Sequence, residues 1–142
     1  MRLNPESQGT VMRDAQNNLL GKLGKSGNAE TLAVPGLLLR IDVADASGDT
    51  DVVMDAKVRV VDAWGLNTGI AAHASADTWQ VKNGANAITD AVAKTATVNA
   101  VKRASTLSPT YHEIAAGGTL RITAAKSTNA AVTVYVLVVP VA

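Results

Sequence analysis

Hydrophobic and polar residues alternate with period two along much of the chain. Leu37, Leu39, Ile41 and Val43 alternate with Leu38, Arg40, Asp42 and Ala44. Met54, Ala56, Val58 and Val60 alternate with Asp55, Lys57, Arg59 and Val61. Successive side chains on a strand point to opposite faces, so each run predicts a strand with one buried face. The small, polar stretch between them predicts a hairpin loop that joins the two runs into a long ribbon. The same reading places further strands near 77–82, 86–92, 97–103, 110–114, 118–125 and 131–141. Trp64-Gly-Leu-Asn-Thr-Gly, Asn83-Gly84 and Ser127-Thr-Asn129 read as turns. Between Ile88 and Arg103 the pattern also admits a helix through Ile88, Val92 and Ala96, but Thr89, Thr95, Thr97, Val98 and Val101 favour strands. The last run, Val132 to Val139, is apolar at nearly every position, as a strand covered on both faces would be. Many short strands with frequent turns predict an all-β fold, a jelly-roll-like antiparallel β-sandwich over residues 34–142.

Residues 1–33 break the pattern. They are polar and carry Gly9, Gly21, Gly24 and Gly27, while Met12, Ala15, Leu19 and Leu23 are spaced for one face of a short helix. Such a helix is marginal beside those glycines. The expectation is an extended N-terminal arm that orders against a partner or the chain's own sheet.

The chain has no Phe, so its core is built from Val, Ala, Leu and Ile. A small-residue core buries little area per residue, and self-association or docking on a larger body is the natural supplement. The formal net charge of +1 gives no global pull towards nucleic acid. The signs are uneven, however. Asp42, Asp45, Asp49, Asp51, Asp55 and Asp62 face Lys57 and Arg59 over one stretch, and Lys94, Lys102, Arg103, Arg121 and Lys126 face Glu113 over a later one. Two readings follow: solvated faces, or acidic and basic regions that pair between neighbouring copies. The chain has no cysteine, so disulfides and thiolate metal sites are excluded. The first residues lack the apolar core of a signal peptide, and the apolar run at the C-terminus is too short to span a bilayer. No membrane association is expected.

Candidate chemistry is thin. Gly24-Lys25-Ser26 hints at a phosphate loop, but Leu19 stands where that motif needs its first glycine. Asp45, Asp49 and Asp51 cluster as calcium ligands do, without the spacing or the bidentate Glu of an EF-hand. Asp and Ser also populate hairpin loops for backbone reasons. His73 with Ser75, or His112 with Glu113, supplies no base oriented by a third group, so no hydrolase site assembles. Trp64, Trp79 and Tyr111 could stack on a sugar in a carbohydrate-binding β-sandwich module, head-fibre or adhesin-like. The plainer reading has Trp64 closing a strand and Trp79 filling the core end. No catalytic, cofactor or metal residue is assigned, and the chain is not expected to be an enzyme.

Several phrases carry a resemblance: Lys57-Val-Arg-Val-Val-Asp-Ala-Trp64-Gly, Asp77-Thr-Trp-Gln-Val-Lys-Asn-Gly84, Asn86-Ala-Ile-Thr-Asp90-Ala, Ile114-Ala-Ala-Gly-Gly-Thr-Leu-Arg-Ile122 and Val132-Thr-Val-Tyr-Val. Over about residues 37–142 the chain resembles the capsid cement, or decoration, proteins of short-tailed DNA phages. The resemblance implies a jelly-roll body, often a homodimer, made in the host cytoplasm and bound outside an icosahedral head. Its partner there would be the major capsid protein. The segment before residue 34 lies outside the resemblance. Its Arg2, Arg13, Leu19, Leu20, Lys22, Leu23 and Lys25 are the expected capsid contacts.

Overall fold

The computed structural model describes residues 9–13, 19–26, 29–32, 36–69 and 76–142. No helix occurs among them, so none there is long and apolar enough to cross a membrane. The chain divides after Pro35 into two compact units.

The first unit is a three-stranded antiparallel sheet, β1 (Gly9–Arg13), β2 (Leu19–Ser26) and β3 (Ala29–Leu32), in the order β1-β2-β3. This corrects the helical spacing read through Met12, Leu19 and Leu23, and it replaces an extended arm with a small sheet (Ala15 lies outside the described residues). Gly21 and Gly24 both fall in β2, and each would cost a helix about 1 kcal/mol relative to Ala. The pairing closes through main-chain hydrogen bonds, which glycine makes as well as any residue.

The second unit is a β-sandwich. Its strands are β4 (Leu37–Val43), β5 (Gly48–Val53), β6 (Val58–Asn67), β7 (Thr78–Asn83), β8 (Asn86–Ala87), β9 (Val92–Ala93), β10 (Val101–Arg103), β11 (Glu113–Ile114), β12 (Thr119–Ala125) and β13 (Val132–Pro140). One sheet runs β10-β6-β13-β4, with β11 also on β6; the other runs β5-β12-β7-β8, with β9 also on β7. All these pairings are antiparallel. The chain passes back and forth between the sheets, as in a jelly roll, so most neighbours in a sheet are distant in sequence.

The expected ribbon of 37–45 with 52–63 therefore does not form. β4 pairs with β13, β5 lies in the opposite sheet on β12, and residues 54–57 separate β5 from β6. Alternation records which face is buried and is silent on which strand lies alongside. The faces themselves follow the pattern except at Leu37 and Ala56, which are exposed. Ile41, Val43, Val58, Val60, Leu120, Ile122, Val134, Val136 and Val138 point inwards and are buried with Trp79, Val81, Ile88 and Ile114. Trp64-Gly-Leu-Asn is strand, not turn, because β6 runs on to Asn67. Opposite Leu137 and Val138 the register slips by one residue, leaving Val61 over. After that bulge the inward set becomes Ala63, Gly65 and Asn67. Asn83-Gly84 is a turn, with Gly84 at φ +57° in the region glycine favours. The segment 88–103 is mostly irregular, with only β9 and β10 as strands.

Candidate functional site

The two outer faces of the sandwich differ. Antiparallel partners share a face, so the register fixes the rows. On the β5-β12-β7 sheet the outward rows carry Asp49 with Thr123, and Asp51 with Arg121 and Lys82. That face is polar. On the other sheet one outward row reads Arg103, Trp64, Tyr135 and Arg40 across four strands, and the next reads Val101, Leu66, Thr133 and Asp42. Leu137 sits between Leu38 and Asp62. The Trp64 and Tyr135 rings stack at 5.9 Å between centroids. Leu38, Val61 and Val101 are 48%, 37% and 57% exposed. This face thus mixes exposed apolar and aromatic side chains with Arg40, Asp42, Asp62 and Arg103.

The acidic and basic stretches meet within one chain. Arg121 donates to both oxygens of Asp51, at 2.7 and 2.8 Å, and lies 3.2 Å from Asp49. Lys126 reaches Asp45, Arg103 holds Asp62, and Glu113 takes Arg59 and Lys57. The pairing read as possible between copies is thus met internally, because β5 lies beside β12. Arg121 engages Asp49 and Asp51 together while Lys126 engages Asp45, and no group of three His, Cys, Asp or Glu that could hold a metal occurs among the described residues. Glu113 is committed to Arg59 and Lys57, and the His112 main-chain oxygen accepts the Val60 N–H. His73 and Ser75 lie outside the described residues. Trp79 is 1% exposed and cannot stack on a ligand, so Trp64, Trp79 and Tyr111 form no common platform. Trp64 packs on Tyr135 in mid-strand and closes nothing. A cavity of about 380 Å³ opens where β4 begins, lined mainly by Leu37, Leu39, Val52, Met54, Val58 and Val138. Of the expected capsid contacts, Arg13 ends β1, Leu19, Leu20, Lys22, Leu23 and Lys25 lie on β2, and Arg2 is outside the described residues. Lys25 and Ser26 are strand residues, not a loop opening a helix.

A buried polar cluster went unread in the sequence. Asp77, Lys94 and Asn129 are 0%, 3% and 7% exposed. Asp77 accepts from the N–H groups of Ser127, Thr128 and Asn129, at 2.5, 2.8 and 3.0 Å. Lys94 Nζ donates to the Asn129 main-chain oxygen at 3.0 Å and to Asn129 Oδ1 at 2.6 Å. The backbone is tied in as well: Lys94 N–H donates to the Asp77 oxygen, and buried Asn67 holds the Thr95 oxygen. Burial pushes the Lys94 ammonium pKa down, against the opposing pull of Asp77 and Asp45. One hint lay in the sequence: a lone Lys within Ala-Val-Ala-Lys-Thr-Ala, where a solvated lysine has little polar company.

The surface carboxyls set the acid limit. The Ala130 N–H and the Lys126 ammonium hold Asp45 below the ordinary 3.8, and Arg121 does the same for Asp51. Burial alone would raise Asp90, but donors from Ser105 and Thr106 bring it down. Arg59 and then Lys57 lower Glu113 from 4.5. Each binds its proton less readily folded than unfolded. Their contribution is complete above the ordinary values and is lost as pH falls through the lowered folded ones. The thermal midpoint should therefore hold from neutrality to about pH 5 and fall steadily below about pH 4. Scanning calorimetry across that range checks this, and a midpoint that rises on acidification contradicts it.

No family model, curated protein or solved structure matches this chain.

Proposed function

We propose that the chain is a structural virion protein. It would act as a cement, or decoration, protein on the outer surface of a phage head, clamping adjacent major capsid subunits against the pressure of packed DNA. The observation that carries this reading is the asymmetry of the sandwich. One outer face is mainly charged, with Val53 exposed on it, and the other presents Leu38, Val101, Leu66 and the Trp64–Tyr135 stack among Arg40, Asp42 and Arg103. A stiff body with one adhesive face suits bracing better than turnover, and on this reading the chain works on no substrate. Binding that favours the assembled lattice over separated subunits stabilises the lattice by mass action. Many weak identical contacts sum when the lattice is rigid. The N-terminal sheet, with Arg13, Leu19, Leu20, Lys22, Leu23 and Lys25, would be a second grip. Strand β4 ends its sheet, and two copies could pair along it as a homodimer.

Co-sedimentation with undecorated heads tests the reading. Wild type should pellet with the heads. Leu38→Asp with Val101→Asp should weaken binding by about tenfold or more, since each tenfold is only ~1.4 kcal/mol. Both side chains are exposed, so the thermal midpoint should be kept. Deleting residues 1–35 should weaken binding as well. Wild type left in the supernatant refutes the cement role. Undiminished binding by the double variant refutes the role of this face, and by the deletion that of the N-terminal grip. The half-exposed Trp64–Tyr135 pair between Arg40 and Arg103 is the feature that favours the rival, a carbohydrate-binding module. A glycan array without hits removes it.

A further inference from the structure

We propose that Lys94 and Asn129 are joined by an isopeptide bond that the folded chain makes itself, running from Lys94 Nζ to Asn129 Cγ with release of ammonia. Lysine is almost never wholly buried, because stripping water from an ammonium is costly. Here Nζ lies 2.6 Å from the side-chain amide oxygen of a second buried residue. An amine held against an amide group in a dry site has the proximity that turns a slow bimolecular reaction into a unimolecular one.

Both partners are fixed by their neighbours. Lys94 is tied through its N–H to the Asp77 oxygen, and the Asn129 N–H to the Asp77 carboxylate. The Ala131 N–H donates to Asn129 Oδ1 at 3.1 Å, and so lies against the oxygen on which negative charge would develop. Asn129 Nδ2 points to Asp45 Oδ2 at 3.5 Å, which places a carboxylate beside the leaving nitrogen. At Gly69 a Cβ would stand 2.5 Å from Asn129 Oδ1, so glycine lets the backbone close over the amide. Burial lowers the Lys94 pKa, which favours the free amine that attacks.

The step balances without an outside reagent. A carboxylate takes one proton from the Lys94 ammonium. Asp77, buried with Lys94 and joined to it through the Lys94 N–H and its own main-chain oxygen, is the base assigned. The amine lone pair forms the Nζ–Cγ bond, and the carbonyl electrons move onto Oδ1 beside the Ala131 N–H. They return as the Cγ–Nδ2 bond breaks; Nδ2 takes the second Nζ proton to leave as ammonia, which then collects the first proton from the carboxylate. Lysine ammonium and asparagine amide become one secondary amide and one ammonium ion. The product would tie the segment after β9 to the entrance of β13, so it would fasten one sheet to the other. This inference stands apart from the capsid reading, since neither outcome below depends on heads.

Intact mass of the denatured, purified full chain decides it. Wild type should be one ammonia lighter than its sequence. Trypsin should not cut after Lys94, and a branched peptide should join residues 83–102 to 127–142. Lys94→Arg should keep its full mass and lose thermal midpoint. Asn129→Asp should release water instead and reach the same final mass as wild type, so the bond can be read even if the arginine variant folds poorly. Wild type at full mass overturns the proposal. So does an ammonia loss that persists in Lys94→Arg without the branched peptide, which is a succinimide at Asn129.

Discussion

Asp77→Ala is expected to cost the sandwich about 3–5 kcal/mol, the range for breaking a buried charged pair by removing one partner. Two losses combine. The N–H groups of Ser127, Thr128 and Asn129 lose their shared acceptor, and the last of these bonds is fully buried. Asp77 is also the base assigned to the Lys94–Asn129 bond, so the variant keeps Lys94 as a buried ammonium, now without the charge that most strongly opposes its desolvation. The turn between β12 and β13 is then held by Asp45, Ser47 and Lys94, and Asp45 and Ser47 are surface residues. A comparison isolates burial as the cause. Asp90 also gathers several donors, Ser105 N–H and Oγ and Thr106 N–H among them, but in a solvent-accessible place. Asp90→Ala should cost only about 1 kcal/mol, as loss of a side-chain cap does. Urea unfolding followed by tryptophan fluorescence measures both, because Trp64 and Trp79 lie in the sandwich. Equal costs for the two variants would show that burial of the Asp77 cluster adds nothing.

The inward faces of this fold were legible because they depend only on local alternation. Val58 with Val60, Leu120 with Ile122, and Trp79 with Val81 fall inwards as the pattern requires. The partners were not legible. β4 finds β13 at the far end of the chain, and nothing in Leu37 to Val43 names that neighbour. The same blindness left the acidic stretch to be read as solvated or as paired with a second copy, when Arg121 on the adjacent strand was the partner of Asp49 and Asp51. Gly65 and Asn67 were misread as turn residues because they commonly punctuate strands. In β6 they serve packing instead: Gly65 lies under an indole, and Asn67 holds the backbone of Thr95 and Thr97. The buried Lys94 was hidden for a related reason. A lysine's burial is set by what the tertiary fold brings around it, and Asp77 and Asn129 come from separate turns. The outer aromatic pair was equally hidden, since Trp64 and Tyr135 meet only through the pairing of β6 with β13.

The second large effect is expected at Trp79, the one large aromatic in a core of aliphatic side chains. Trp79→Ala should cost about 3–5 kcal/mol, because the removed ring leaves a cavity that neighbouring strands can fill only in part. Its ring lies against the backbone of β6. A Cβ built on Gly65 would run into the Trp79 indole and come within 3.0 Å of Val132 Cγ2. Gly65 is thus small because Trp79 is large, and the two positions should be coupled. Gly65→Ala alone should cost about 1–3 kcal/mol through overpacking. In the Trp79→Ala background the added methyl meets the vacated space, and its cost should fall to near zero or reverse sign. Four urea curves close this double-mutant cycle, with Trp64 reporting in every variant. Simple additivity would mean that Gly65 is required for something other than the indole above it. A coupling of 1 kcal/mol or more would tie a glycine that reads as a turn signal to a tryptophan on the opposite sheet. It would thereby measure directly how closely the two layers of the sandwich are fitted.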